Sequence, residues 1–155
     1  MATTITPATL TVTITEAVTL NGVDQGGSQV LSISSVVEVD RRILNIPTSE
    51  IIILAMGTAL AAGQFNEVDV RYIRITNLDD TNHVTLVFRG EGAAEFAVKL
   101  DKGQSFIYNG DMSGGVVDTM DASESALTVS LEDLVDITAQ ADTAAVDIEL
   151  FVAGV

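Results

Sequence analysis

Residues Tyr72 to Asn82 read YIRITNLDDTN: six strand-type residues run straight into a cluster of Asn, Asp and Thr. The β-branched side chains of the first half favour extended backbone. In the second half, Asn and Asp side chains bond their own backbone two residues on, which makes a turn. After it, His83 to Arg89 returns with Val84, Leu86 and Phe88 on one face, the period of two expected of a half-buried strand. The stretch therefore reads as strand, corner, strand. The adjacent acids Asp79 and Asp80 sit at its centre. Paired carboxylates do acid–base work only where their surroundings drive the two pKa values apart; between two strands, a turn is the plainer account.

The same grammar extends in both directions. Thr9 to Thr15, TLTVTIT, alternates Leu10, Val12 and Ile14 against threonines, and Asn21-Gly22 supplies a turn that tolerates positive φ. Gln29 to Val39 is strand-like, and Asp40 to Ile46 continues or pairs with it. Pro47 marks a break, because it cannot donate to a ladder. Ile51 to Leu54 lacks polar alternation and predicts a strand covered on both faces. A helix from Ser49 through Ala59 to Ala62 is the rival there, and three consecutive isoleucines favour strand over it. Phe96, Val98 and Leu100 alternate, as do Val146, Ile148, Leu150 and Val152 near the C-terminus. Gln104 to Tyr108, Ala126 to Ser130 and Ile137 to Gln140 are further strand candidates. About eight to ten short strands with turn residues between them predict an all-β antiparallel sandwich, expected as a jelly-roll. Residues 1–8 are expected as an extended N-terminal arm and residues 9–155 as one sandwich domain, in keeping with a length of 155 residues.

Composition narrows the function classes. Acidic residues outnumber basic ones by 22 to 7, for a net charge of −15. Such a surface repels phosphate backbones and anionic lipid heads, so direct nucleic-acid binding is not expected. The chain contains no Cys, which removes disulfides and thiolate metal sites from consideration. Hydrophobic residues make up 47% of the chain and the mean hydropathy is +0.39. That excess in a small domain predicts that part of it is covered by other subunits. The most apolar window, Ile51 to Gly63, is broken by Gly57 and Thr58 and falls short of the roughly 20 residues of a membrane span. The start, MATTITPATL, has neither the positive charge nor the apolar run of a signal peptide.

Motifs for chemistry do not assemble. Neither NLDDTN nor the region of Asp118, Asp121 and Glu124 matches a calcium loop. His83 is the sole histidine, too few for zinc, and no G-x-S-x-G elbow accompanies it; it reads as a rim residue where a turn becomes a strand. Gly26-Gly27 and Gly114-Gly115 match no phosphate-binding loop and read as turns. No catalytic residue, metal site or cofactor is therefore expected. Arg41-Arg42 places two of the seven basic residues together. Pairing with carboxylates of the same chain is the plainer account, and an intersubunit ion pair is the sharper one.

Three segments, ILNIPTSEIIIL (Ile43 to Leu54), VRYIRITNLDDTNHVTL (Val70 to Leu86) and ITAQADTAAVDIELFVA (Ile137 to Ala153), resemble small virion structural proteins of tailed phages, particularly marine and cyanobacterial ones. The LNG turn at Leu20 to Gly22 and LDKGQSFIY at Leu100 to Tyr108 join them. The resemblance implies a non-enzymatic capsid decoration (cement) protein. It would be made in the bacterial cytoplasm, trimeric, and bound to the outer face of the major capsid protein lattice. Ile5, Leu10, Arg41 and Arg42 are its candidate partner contacts. The alternatives are a head-fibre or tail-associated module, or a carbohydrate-binding adhesin. The last is disfavoured by the absence of Trp and the presence of only two Tyr, both on expected strands.

Overall fold

The structure, a computed structural model, describes residues 4–58, 63–92, 95–109, 119–120 and 131–155. The described residues form strands β1 (Ala8–Glu16), β2 (Thr19–Leu20), β3 (Val23–Asp24), β4 (Gly27–Val36), β5 (Glu38–Ile46), β6 (Ile51–Ala55) and β7 (Val70–Asn77). After these come β8 (Val84–Gly90), β9 (Glu95–Leu100), β10 (Ser105–Asn109), β11 (Thr119–Met120), β12 (Leu131–Glu132), β13 (Leu134–Ala141) and β14 (Val146–Gly154). No helix occurs among them, so none is long and apolar enough to cross a membrane.

Two four-stranded antiparallel sheets make the body, in the orders β10-β7-β14-β5 and β6-β13-β8-β9. Alternation decides which side chains they enclose. On the first sheet Ile73 pairs with Val152 and Ile75 with Leu150, all four fully buried. On the second, Phe88 pairs with Ile137 and Leu86 with Ala139, again buried. These inner faces share one core, in which Phe88 stacks on Phe96 at 4.6 Å between ring centres and meets Phe106 at 4.9 Å. Strands β7 and β8 belong to different sheets, so the NLDDTN corner carries the chain from one sheet to the other.

The remaining long strands form a third layer. β1 and β4 pair only with each other, from Leu10 opposite Ile33 to Glu16 opposite Gly27. Beyond them β2 and β3 close the ribbon through Asn21 and Gly22, whose φ angles of 50° and 80° give the tight turn that the Asn-Gly pair favours. At the ribbon's root a bulge sets Ala8 and Leu10 against Val36 and Ile33, and Ser35 takes a φ of 64°. A bulge bends its strand, and here the ribbon lies over the outside of the first sheet. Leu10, Val12, Leu31 and Ile33 pack there on Tyr72, Ile107, Phe151 and Ala153. The segment expected as strand from Gln29 through Ile46 thus divides at Val37, whose N–H is bonded to the Gly154 carbonyl at 3.0 Å.

Two expectations change. Residues 4–7 precede β1 without regular structure, and the larger projection is the ribbon of residues 8–36, which belongs to neither sheet of the sandwich. Ile51 to Leu54 is an edge strand rather than one covered on both faces: Ile52 is 63% exposed. A register shift against Ile137 and Thr138 places both Ile53 and Leu54 inside, and this explains the run without alternation. Gly114-Gly115, the Asp118 to Glu124 region, Ala59 to Ala62 and Ala126 to Ser130 lie outside the described residues.

Candidate interaction surface

The NLDDTN corner is built on Asn77, a buried residue that strand-and-turn patterning alone does not single out. Its Oδ1 accepts from the Asp79 N–H at 2.9 Å, while its Nδ2 donates to the carbonyls of Asn82 and Leu100 at 3.0 and 3.1 Å. Asp79 Oδ1 accepts from the N–H groups of Thr81 and Asn82 at 2.7 and 2.6 Å. Those backbone donors, Asn82 first, hold the Asp79 carboxyl below the usual Asp range. Asp80 is exposed and, among the described residues, accepts only the Thr81 hydroxyl, at 2.9 Å. The two acids thus have different duties, and both are local. Strand-ending Asn before a two-acid turn was the available signal for Asn77.

His83 stands on the rim beside this corner, its Nδ1 3.5 Å from Asp142 Oδ2. Among the described residues no group of three His, Asp or Glu side chains is placed to hold a metal ion. Gly26 answers to sterics: a Cβ there would lie 2.4 Å from the Glu16 carbonyl oxygen, so the ribbon closes only around glycine.

Basic residues are placed sparingly. Arg41 gives Nε and Nη2 to Glu149 Oε2 at 2.9 and 2.7 Å, and Arg74 bonds the other oxygen of the same carboxylate. Glu149 is held below its ordinary pKa by Arg74 first and Arg41 second. Period two puts Arg41 on the outer face of the first sheet, where it is 66% exposed, and turns Arg42 the other way. Arg42 bonds Asp40 at 3.2 Å and the Ile53 carbonyl at 2.8 Å, tying edge strand β5 to edge strand β6. Both arginines of the pair therefore have partners within the chain. On the outside of the second sheet Arg89 bonds Glu50 at 2.6 Å, with Asp136 at 3.4 Å and Glu95 at 3.6 Å. Neither Arg74 nor Arg89 announced itself in the sequence, because Glu149, Glu50 and Asp136 lie 75, 39 and 47 residues away.

The apolar surface is concentrated elsewhere. Past the sandwich, the ribbon's Ile14, Val18, Leu20, Val23 and Val30 are between 42% and 64% exposed. The groove at its far end is lined by ribbon residues, Thr15 to Thr19, Asp24 and Gly26 to Ser28. Of the four candidate contacts, Ile5 is exposed ahead of β1, Leu10 is half-buried under the ribbon's root, and Arg41 and Arg42 lie on β5. The structure does not gather them into one patch. The seven aromatic side chains are all described, and none is exposed.

Comparison with protein-family models, with curated proteins and with solved structures finds no match.

Proposed function

We propose that this is a non-enzymatic structural protein of a tailed-phage virion, and specifically a decoration protein that binds the outside of the capsid lattice as a homo-oligomer and stabilises it. One observation carries the reading: a charge-poor aliphatic ribbon stands on a body that holds nearly all the charge. Residues 1–37 contain two acids, Glu16 and Asp24, and no base. Interface cores are depleted of charge in this way, and an isolated two-stranded ribbon is marginal in water without a cover. The acidic remainder suits an outer surface better than a wall lining packaged DNA.

The segments that resemble virion proteins fall on β5–β6, β7–β8 and β13–β14, the framework of both sheets. We also read the body as a jelly-roll. Counting its eight strands from β5, one sheet runs 6-3-8-1 and the other 2-7-4-5, the interleaving that two nested Greek keys produce. The chain has no Trp, and each of its seven aromatic residues is buried or half-buried, which weighs against the adhesin alternative.

A clamp across capsomer joints would act by burying apolar area, at roughly 25 cal/mol per Å² before the costs of association, and many copies per shell would multiply modest contacts. The test is to remove the protein from particles that carry it, add it back, and measure thermal and low-salt rupture. The expected result is saturable rebinding that raises the rupture temperature. Absence of both, with binding to a tail component or a glycan instead, would overturn the reading.

A further inference from the structure

We infer that the free end of the ribbon is a docking arm for a second copy of this chain, laid over the outer face of β5 in the neighbouring subunit. This deepens the oligomer part of the function proposed above and does not depend on the capsid part. The path of the ribbon gives the direction. It leaves the body at the β5 edge, passes over Ala153 and Phe151 of β14 and Tyr72 of β7, and reaches Ile107 and Asn109 of β10, the opposite edge of the same sheet. From Ile14 opposite Gln29 outward, about eight residues per limb remain, roughly 25 Å of strand. Adjacent strands are about 4.8 Å apart, so the overhang is long enough to cover the first strands of a subunit placed beyond β10.

A copy standing there, related to the first by a rotation about an axis beside the sheet, offers its own β5 edge. The outer face of β5 is the part of that sheet its own ribbon leaves open: Val39 and Ile43 are 54% and 65% exposed, with Arg41 between them. Charge fits as well. Arg41 and Arg74 share the single carboxylate of Glu149, which favours an incoming acid at the Val39–Arg41 part of the strand, whereas Asp79, Asp80 and Asp147 around Ile43 and Asn45 disfavour one at the other end. The only charges on the ribbon are the acids Glu16 and Asp24, and both line its free end. Aliphatics would meet Val39 and Ile43 while the acids approach Arg41. The contact joins different surfaces of the two copies, so repeating it gives a ring where the rotation between copies closes and an open filament where it does not; a closed ring accommodates the trimer without requiring that number.

Purified protein tests this without any particle. Because the chain has no cysteine, a variant carrying Leu20→Cys and Val39→Cys forms only engineered disulfides. Mild oxidation is expected to give a covalent ladder, ending at a fixed size where the contact closes a ring, with either single variant remaining uncross-linked. A second variant replaces residues 17–26 by a two-residue Asn-Gly turn. It should keep its strand circular dichroism and lose the oligomer in sedimentation at concentrations where the wild type is assembled. Cross-linking of Leu20→Cys alone would mean tip-to-tip contact and overturn the arrangement. An intact oligomer after shortening, with or without a loss of particle binding, would equally overturn it and leave the proposed capsid role to its own experiment.

Discussion

Strands β8 and β1 carry the same message in sequence and meet opposite fates. Val84, Leu86 and Phe88 alternate with Thr85, Val87 and Arg89, and all three apolar side chains are sealed. Leu10, Val12 and Ile14 alternate with threonines just as cleanly, yet the first two are half-buried and the third lies open. Period two states which face of a strand is apolar; it does not state what covers that face. For β8 the cover is the opposite sheet. For β1 it is the outside of the first sheet near the root, and beyond β10 nothing among the described residues. Much of the exposed apolar surface thus falls on the free ribbon and the β5 face, with Ile5, Ile52, Val68 and Leu78 open elsewhere.

The sharpest way to break this contrast is to truncate one residue of each kind. Phe88→Ala removes the ring that three other aromatics touch and should cost about 3–5 kcal/mol in chemical denaturation. Ile33→Ala, in the small cluster under the ribbon, should cost about 2–4 kcal/mol. Its signature differs: ribbon amides should lose hydrogen-exchange protection while those of β7, β8 and β14 keep theirs. Leu20→Ala at the tip should leave monomer stability within about 0.5 kcal/mol. Equal losses at all three positions would show that ribbon and body form one cooperative unit, and the contrast would fall.

The all-β class and the paired sheets were legible because alternation and turn chemistry are local properties. Asn21-Gly22 and NLDDTN could be read without any tertiary knowledge. The third layer was not legible, since Thr9 to Thr15 looks like any half-buried strand and its placement depends on the bulge at Ser35. Nor was the exposure of Ile52, because a run of isoleucines fits an edge strand with a register shift as well as a central strand. Charge partners were hidden for another reason. Glu149 meets arginines 108 and 75 residues away, and only the register of three strands brings them together.

Acidity tests the electrostatic side of the same contrast. Glu149, Asp79, Asp101 and Glu50 all have carboxyls held below their ordinary pKa, chiefly by hydrogen bonds from Arg74, from the Asn82 backbone, from Lys99 and from Thr138 respectively. Groups with a depressed folded pKa contribute stability above the unfolded value near 4 and lose it as pH falls through the folded value. Glu67 is the reverse case. It is buried, and burial raises its pKa, with Glu91 and Asp133 adding to the effect. Its contribution is present below the unfolded value and lost as pH rises through the folded one. Lowering pH also relieves self-repulsion in a chain of −15. Melting temperature should therefore rise modestly from pH 7 to a maximum near about pH 5 and fall below about pH 4. Glu67→Gln should flatten the rise and leave the acid limb in place; an unchanged rise would assign it to net charge alone.

The smallest effects fall at the corner, where two neighbouring acids give a final contrast. Asp79 accepts two backbone N–H groups and rests on Asn77, so Asp79→Ala strips the turn of its acceptor and should lower the melting temperature measurably. Asp80 is exposed and, among the described residues, bonds only the neighbouring Thr81 hydroxyl. Asn in its place keeps an oxygen for that hydroxyl and tolerates the same backbone, so Asp80→Asn should change stability by no more than about 0.5 kcal/mol. Oligomeric state and particle binding should also be unchanged: Asp80 lies beside Ile43 and Asn45 at one end of the β5 face, but Asn there removes an acid and leaves Val39, Arg41 and Ile43 in place. Loss of particle binding by Asp80→Asn, with circular dichroism and sedimentation like the wild type, would move the partner surface to the corner and away from the ribbon. An Asp79→Ala variant as stable as the wild type would instead assign the corner to Asn77 alone, whose two carbonyl contacts do not need either acid.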